Sequence, residues 1–406
     1  MNFKGGMVIG VVGVLVGLAS TSVGQVSEKQ DWPQFRGPNR DGISKETAWN
    51  PKALEGGAKV LWKASVGAGW SSMSICGDKV FVMGWKDDQD TVYALNVKDG
   101  KEAWKYSYPC PKCSYEGPRA TPVTDGKVVY SLSHAGDLFC LAIKDGAVVW
   151  KKNIVSEFGA QLPKWNLAGS PVIQGDLLLL NAGESGMALN RTTGEKVWTS
   201  GGGPGGYSAP VVFKADGKDC VAIFSAKAVY GVEFATGKKL WSSVWETKYD
   251  VNAADPIYSD GKVFISSGYD RGCALIDVKG DQSKVIWTHK DMRNHFSSSV
   301  LIDGHLYGID GNAGNGSLKC LEFATGKEKW SKPMGFGGLI AAGDKLIVLN
   351  ESGDLFIGKF SPAGFEELSS AKGILGKLCW TAPVLCRGVV YCRNSKGDIV
   401  AIDVSK

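Results

Sequence analysis

The sequence predicts an all-β fold, an eight-bladed β-propeller of four-stranded antiparallel blades, and three observations predict it. A tryptophan-ended unit recurs about every 45 residues, a period that marks propellers and arrays rather than independent domains. Within each repeat, short β-branched and aromatic runs alternate with Gly-containing turns, and nothing reads as a helix of useful length. The count also closes, because the strand missing from the last repeat is present near the other end of the chain.

Each repeat opens on an apolar run that often carries Pro, as in Ala120-Thr-Pro-Val123, Gly169-Ser-Pro-Val172, Ser208-Ala-Pro-Val211 and Thr381-Ala-Pro-Val384. A tight turn follows (Asp125-Gly126, Asp260-Gly261, Asp303-Gly304), then a strand such as Lys127-Val-Val-Tyr130 and a polar loop. The third strand, a second Gly turn and the Trp strand complete the unit, as in Tyr93-Ala-Leu-Asn-Val-Lys-Asp-Gly-Lys-Glu-Ala-Trp104. The same unit ends at Trp150, Trp198, Trp241, Trp287 and Trp330. Eight third strands start near Tyr93, Phe139, Met187, Tyr230, Cys273, Lys319, Phe356 and Ile399. In the seventh repeat Phe365 stands where Trp is expected. The eighth stops before any Trp strand, and Lys59-Val-Leu-Trp62-Lys-Ala-Ser-Val66 is expected to supply it, which removes a free sheet edge. One buried indole removes ~200 Å² from water, up to about 5 kcal/mol gross at ~25 cal/mol/Å². The Trp series is therefore read as scaffold that locks neighbouring blades.

Residues 1–24 read as a secretory signal, with Lys4, an apolar run from Met7 to Ala19 and small residues to Gly24. Residues 25–57 form an N-terminal leader and 58–406 the propeller, one domain in a closed ring. The apolar stretch is too short and Gly-rich for a good membrane span, and no Cys marks the cleavage region for lipidation. The expected setting is periplasmic or secreted. The net charge of +5 is scattered without basic blocks, which argues against nucleic acid. A monomer is expected, with a protein or a small-molecule or saccharide ligand as partner.

Ten cysteines invite a disulfide reading, but Cys140, Cys273, Cys320 and Cys392 sit in strands, where a thiol serves as a small hydrophobe. Cys110-Pro-Lys-Cys113 lies in a loop, lacks the His of a haem-attachment motif, and is read as a local disulfide. No second Cys pair completes a zinc site, and four scattered His argue against a His-based one. Cys76 and Cys386 occupy matching first turns of blades 1 and 8, so a bridge between those blades is a further candidate.

The segments leading into the first strands depart most from the repeat, and a ring brings them to one mouth of the channel. They supply Trp70, Tyr207, Phe336 and Trp380 beside Arg119, Asn166, Asp250, Asn252, Arg293, Asn294 and His295. Aromatic walls with a few convergent polar groups are the expected ligand site. Asp, Asn and Ser in such loops also serve backbone groups where strands begin. The run Arg293-Asn-His-Phe296 is the least repeat-like piece, and His295 is the foremost titratable candidate.

The unit of Phe234-Ala-Thr-Gly-Lys-Lys-Leu-Trp241 and Phe323-Ala-Thr-Gly-Lys-Glu-Lys-Trp330 resembles the tryptophan-docking motif of the pyrroloquinoline-quinone-like (PQQ-like) β-propeller family, over about residues 58–406. Asp31-Trp-Pro-Gln-Phe-Arg-Gly-Pro-Asn-Arg-Asp-Gly42 looks like the leader of secreted PQQ-like proteins of planctomycete-type bacteria. The resemblance implies one of two roles. Quinoprotein alcohol or sugar dehydrogenases hold PQQ and calcium at the channel mouth, with an Asp base and a vicinal Cys-Cys disulfide. Here Asp250 or Asp255 would be the base and Asn252 a metal ligand, but the chain has no adjacent Cys-Cys. BamB-like members instead present loops to partner proteins. A binding or scaffold module acting through one channel mouth is the favoured expectation, with carbohydrate or polymer binding through Trp70 and Trp380 as a further alternative.

Overall fold

In this computed structural model the described residues are 1–2, 31–215 and 217–406. The expected signal segment therefore lies, apart from Met1 and Asn2, outside the described residues. The chain folds as eight antiparallel four-stranded blades in a ring. Blade 1 uses Ser74–Cys76, Lys79–Lys86, Gln89–Asn96 and Glu102–Pro109, from channel to rim. Blades 2 to 7 repeat this order and end with the strand Gly364–Ala371. Blade 8 is closed as expected: Val60–Ser65 pairs with Asp398–Asp403, setting Trp62 opposite Ala401.

The Trp strands dock each blade onto the next. Each outermost strand that carries a Trp slips register by one residue beside it, as between Ala94 and Leu95 opposite Trp104, and such a bulge re-aims a side chain. Six indole N–H groups then donate to the third-strand turn of the following blade, including Trp62 to Val97 O at 2.8 Å, Trp104 to Ile143 O at 2.9 Å and Trp198 to Phe234 O at 3.0 Å. The turn glycine lies under the indole: a Cβ on Gly100 would come within 2.5 Å of Trp62, and φ is +69° there. Glycine meets both demands, close approach and positive φ.

Blade 7 corrects one expectation. By register, Ser369 stands opposite Ile357 where other blades have Trp, whereas Phe365 pairs with Phe360 near the strand start. The leader fills the place of the missing indole. Ser369 Oγ donates to Pro51 O at 2.7 Å, and Leu54 is fully buried in the core shared by blades 7, 8 and 1.

The leader is built into the ring. It crosses the face formed by the first turns of the blades. Trp32 exchanges backbone hydrogen bonds with Ile75 in blade 1, and Pro33 O accepts from Thr124 in blade 2. Arg40 reaches Ile173 O in blade 3, Ile43–Ser44 adds a parallel strand to blade 7, and Glu46 accepts from Gly388 N in blade 8. One end of the channel is thereby capped.

Candidate functional site

The lead-in segments meet at the mouth opposite the leader, and behind them the channel holds a cavity of about 410 Å³. That volume lies in the range of small-molecule sites. Trp32, Phe35, Arg36 and Gly42 of the leader form its floor. The wall is braced by a relay between blades, in which a lead-in side chain accepts from the neighbouring blade's backbone. Ser72 N donates to Thr121 Oγ1, Thr121 N to Ser170 Oγ and Asp255 N to Ser298 Oγ, each at 2.9 Å. At blade 5 a carboxylate stands where the other relay members carry hydroxyls: Asp255 accepts from Ala209 N at 2.8 Å. The leader supplies its counter-charge, Arg36, at 3.8 Å. Burial pushes Asp255 up to about 6, against the pull of that guanidinium.

An arc of rings surrounds the mouth. Trp70 and Trp380 stack at 4.5 Å, Trp380 meets Phe296 at 5.0 Å, and Phe296 stacks on His295 at 3.6 Å. The arc continues to the edge of Tyr269 at 4.6 Å, and on the other side Tyr115 meets Trp70 at 6.3 Å and Trp165 at 5.9 Å. Trp380 is steadied by its N–H on Glu351 at 3.1 Å.

Within this apolar wall, several buried polar atoms have no hydrogen-bond partner. They are the indole N–H groups of Trp32 and Trp165, the Ser297 hydroxyl and both ring nitrogens of His295. Each such atom costs about 1–3 kcal/mol when left unpaired. Burial lowers the His295 pKa to about 4, so at neutral pH its ring offers one donor and one acceptor. Arg119 is the cation of the wall. Its guanidinium donates to the carbonyls of Trp165 at 2.7 Å and Ser114 at 2.6 Å, and burial lowers its pKa. Among the described residues no Asp or Glu lines the cavity. The chemistry on offer is ring stacking, donors for oxygen acceptors, and a weak preference for negative charge.

Of the eleven residues nominated for the mouth, Trp70, Arg119, Tyr207, His295 and Trp380 line the cavity. The other six do not. Asn252 spends its amide on the carbonyls of Ser225, Ala226 and Trp245 while accepting from Ser267 Oγ. Asn294 donates to Ile309 O and accepts from Ser299 Oγ. Arg293 is clamped by both oxygens of Asp310 at 2.9 and 2.8 Å. Asn166 and Asp250 shape turns at positive φ. Phe336 is fully buried behind the wall, its ring 6.2 Å from Trp380. Cys110 and Cys113 are free thiols with different neighbours, His134 and Arg119, so the expected local bridge is not formed. Cys76 is also a free thiol, so the candidate bridge between blades 1 and 8 is not formed.

Sequence reasoning passed over Tyr115, Trp165 and Phe296, which lie inside the segments it singled out. It also passed over Tyr269 and Asn312, from turns between second and third strands, and the leader residues Trp32, Phe35 and Arg36. Those turns end at the same mouth as the lead-in segments, a topological cue available from the repeat alone.

A family model described as outer membrane protein assembly factor BamB matches residues 53–161 and 114–332. The chain belongs to this PQQ-like, BamB-type propeller family. Comparison with curated proteins finds no match. Among solved structures it is similar to BamB from Moraxella catarrhalis, at 14% identity over 85% of this chain and 99% of that one, with a TM-score of 0.63. A europium-containing methanol dehydrogenase aligns at 13% identity over 93% and 90% of the two chains, TM-score 0.67. Quinohemoprotein alcohol dehydrogenase from Comamonas testosteroni aligns at 14% over 92% and 80%, TM-score 0.66. Likeness at this identity carries the fold and nothing finer. Among the described residues no helix is long and apolar enough to cross a membrane.

The quinone and calcium implied by the resemblance can be tested against the wall. Calcium takes six to eight oxygen ligands, carboxylates foremost. Among the described residues the lining has no carboxylate, Asn252 is consumed by backbone carbonyls, and Asp255 is paired with Arg36. The residues present do not fit a calcium-held cofactor, although the aromatic arc suits a flat ring.

Proposed function

We propose that this protein is a binding module that takes a small, ring-bearing ligand in its capped channel. The aromatic lining of the cavity carries this reading, because Trp70, Tyr115, Trp165, Tyr269, Phe296 and Trp380 all border it, with the polar side chains of His295, Ser297 and Arg119 in the same wall. A concave aromatic wall with a few polar groups is the usual form of a small-molecule site. The ligand's faces stack on the aromatic arc, and Arg119 with no opposing carboxylate in the lining favours a neutral or acidic ring, such as a sugar or sugar acid. The export-type amino terminus supports a periplasmic or secreted setting. Function rests here on the site, since the fold hosts both enzymes and assembly factors.

The test is a thermal-shift and tryptophan-fluorescence panel of neutral and acidic sugars. A hit should raise Tm and quench fluorescence. Trp380→Ala, at a half-buried position, should then weaken binding at least about tenfold, the loss of roughly 1.4 kcal/mol, while the protein remains folded. Wild-type affinity in that variant would move the site elsewhere.

A second reading is PQQ-dependent oxidation of alcohols or sugars. The likeness to methanol and alcohol dehydrogenases supports it, and the carboxylate-free lining opposes it. PQQ with calcium should leave Tm unchanged and yield no dye-linked oxidation. A rise in both would favour the enzyme.

A further inference from the structure

Away from the cavity, blades 1 and 2 bring three metal-binding side chains together at their shared edge. Asp90 lies in the third strand of blade 1, Cys110 just past its fourth strand, and His134 in the turn between the second and third strands of blade 2. All three are buried, and none lines the ligand cavity. One ligand atom from each falls within 4.8 Å of the others. Cys110 Sγ is 3.7 Å from His134 Nδ1 and 3.9 Å from Nε2. A tetrahedral zinc ion, with Zn–S of ~2.3 Å and Zn–N of ~2.0–2.1 Å, holds sulfur and nitrogen about 3.6 Å apart. The site already has that span.

The polar atoms around it also point to an occupant. Neither carboxylate oxygen of Asp90 makes a hydrogen bond of good geometry, its polar neighbours are the Cys110 thiol and the Tyr108 hydroxyl, and no ion pair offsets this fully buried group among the described residues. The Tyr108 hydroxyl is likewise buried, and its polar neighbours are Asp90 and Cys110 themselves. A lone buried carboxylate is expensive unless it is paired or bound to a metal. Meanwhile the backbone that carries the thiol is fixed: Cys110 N donates to Asp88 O and its carbonyl accepts the Trp85 indole, both at 2.9 Å. His134 O accepts from Leu167 N at 3.1 Å. Ligands on such anchored segments are pre-organised.

We propose that Asp90, Cys110 and His134 form a buried transition-metal site of zinc type that clips blade 1 to blade 2. A thiolate, an imidazole and a carboxylate select zinc over calcium or magnesium. On binding, the Cys110 thiol gives up its proton to solvent and the sulfur–metal bond forms, with no change of oxidation state. The Tyr108 hydroxyl adjoins the cluster and supplies either a fourth ligand or a hydrogen bond to Asp90.

The experiment strips the full-length protein with a chelator and titrates it with Co²⁺, then with Zn²⁺. One equivalent of cobalt should bring a near-ultraviolet thiolate-to-metal charge-transfer band and intense tetrahedral visible bands, both bleached by zinc. Tm should climb with free zinc, as mass action requires. Cys110→Ser should abolish the charge-transfer band. His134→Gln should weaken zinc at least about tenfold, the scale on which even outer-shell partners act. Cys113→Ser should keep both properties. A folded wild-type protein that gives no thiolate band overturns the proposal, whether or not the variants fold. So does a band that persists in Cys110→Ser or is lost in Cys113→Ser.

Discussion

Acidification reads the environment of His295 directly. The imidazole is 5% exposed, stacked on Phe296 and edge-on to Tyr269, and burial lowers its pKa from 6.5 to about 4. In the unfolded chain the same ring takes up a proton near its ordinary value. The stability it contributes is therefore complete above pH 6.5 and drains away as pH falls toward 4, where the folded form protonates too. At about 1.4 kcal/mol per pH unit, the whole gap amounts to about 3 kcal/mol. His295→Phe retains a flat ring in the stacked slot and has nothing to titrate. Denaturant unfolding of both proteins, at steps from about pH 8 to about pH 4, gives the difference curve in which the carboxylates common to both cancel. The wild type should lose about 3 kcal/mol relative to the variant across that window. Parallel profiles would refute a neutral, buried His295, and with it the donor–acceptor role assigned to the ring.

Trp62→Ala should destabilise the protein by about 3–5 kcal/mol, since it empties the docking contact that closes the ring; denaturant midpoints measure it. Gly100→Ala, which drives a Cβ to 2.5 Å from that indole, should also destabilise, and less so in the Trp62→Ala background; strict additivity would break the docking argument. Arg36→Met leaves Asp255 buried without its cation and should cost about 3–5 kcal/mol at neutral pH. Adding Asp255→Asn should recover most of that loss. A double variant no better than the single would separate the leader's hold from this pair.

The ring was legible because its information is periodic. Each Trp, its turn glycine and the strands between recur at one spacing, so Trp62 could be assigned to blade 8 from either end of the chain. Phe365 misled because a one-residue bulge, invisible to composition, decides which residue faces the next blade, and it selects Ser369. At the mouth, aromatic residues and cations were found where they face the cavity, as with Trp70, Trp380 and Arg119. Asn252 and Asn294 were overvalued because an amide caps carbonyls as readily as it holds a ligand, and only geometry tells the two apart. The leader's part was hidden for the opposite reason: Trp32 and Arg36 belong to no repeat, so nothing in the period assigns them a neighbour. The Asp90, Cys110 and His134 cluster spans two blades, so no local spacing motif records it.

Ring closure by Val60–Ser65 has a consequence in time. This strand must hold its unpaired edge until Asp398–Asp403, more than 300 residues further along the chain, become available to it. Pairings so distant in sequence carry a large loop-closure cost and form slowly. Through most of synthesis, therefore, the nascent chain carries an exposed edge strand ready to pair with the wrong partner. For this protein the perilous interval should end with emergence of the strand Asp398–Asp403 rather than with completion of any single blade. Truncations that spare seven blades but remove the strand Asp398–Asp403 should accumulate as aggregates.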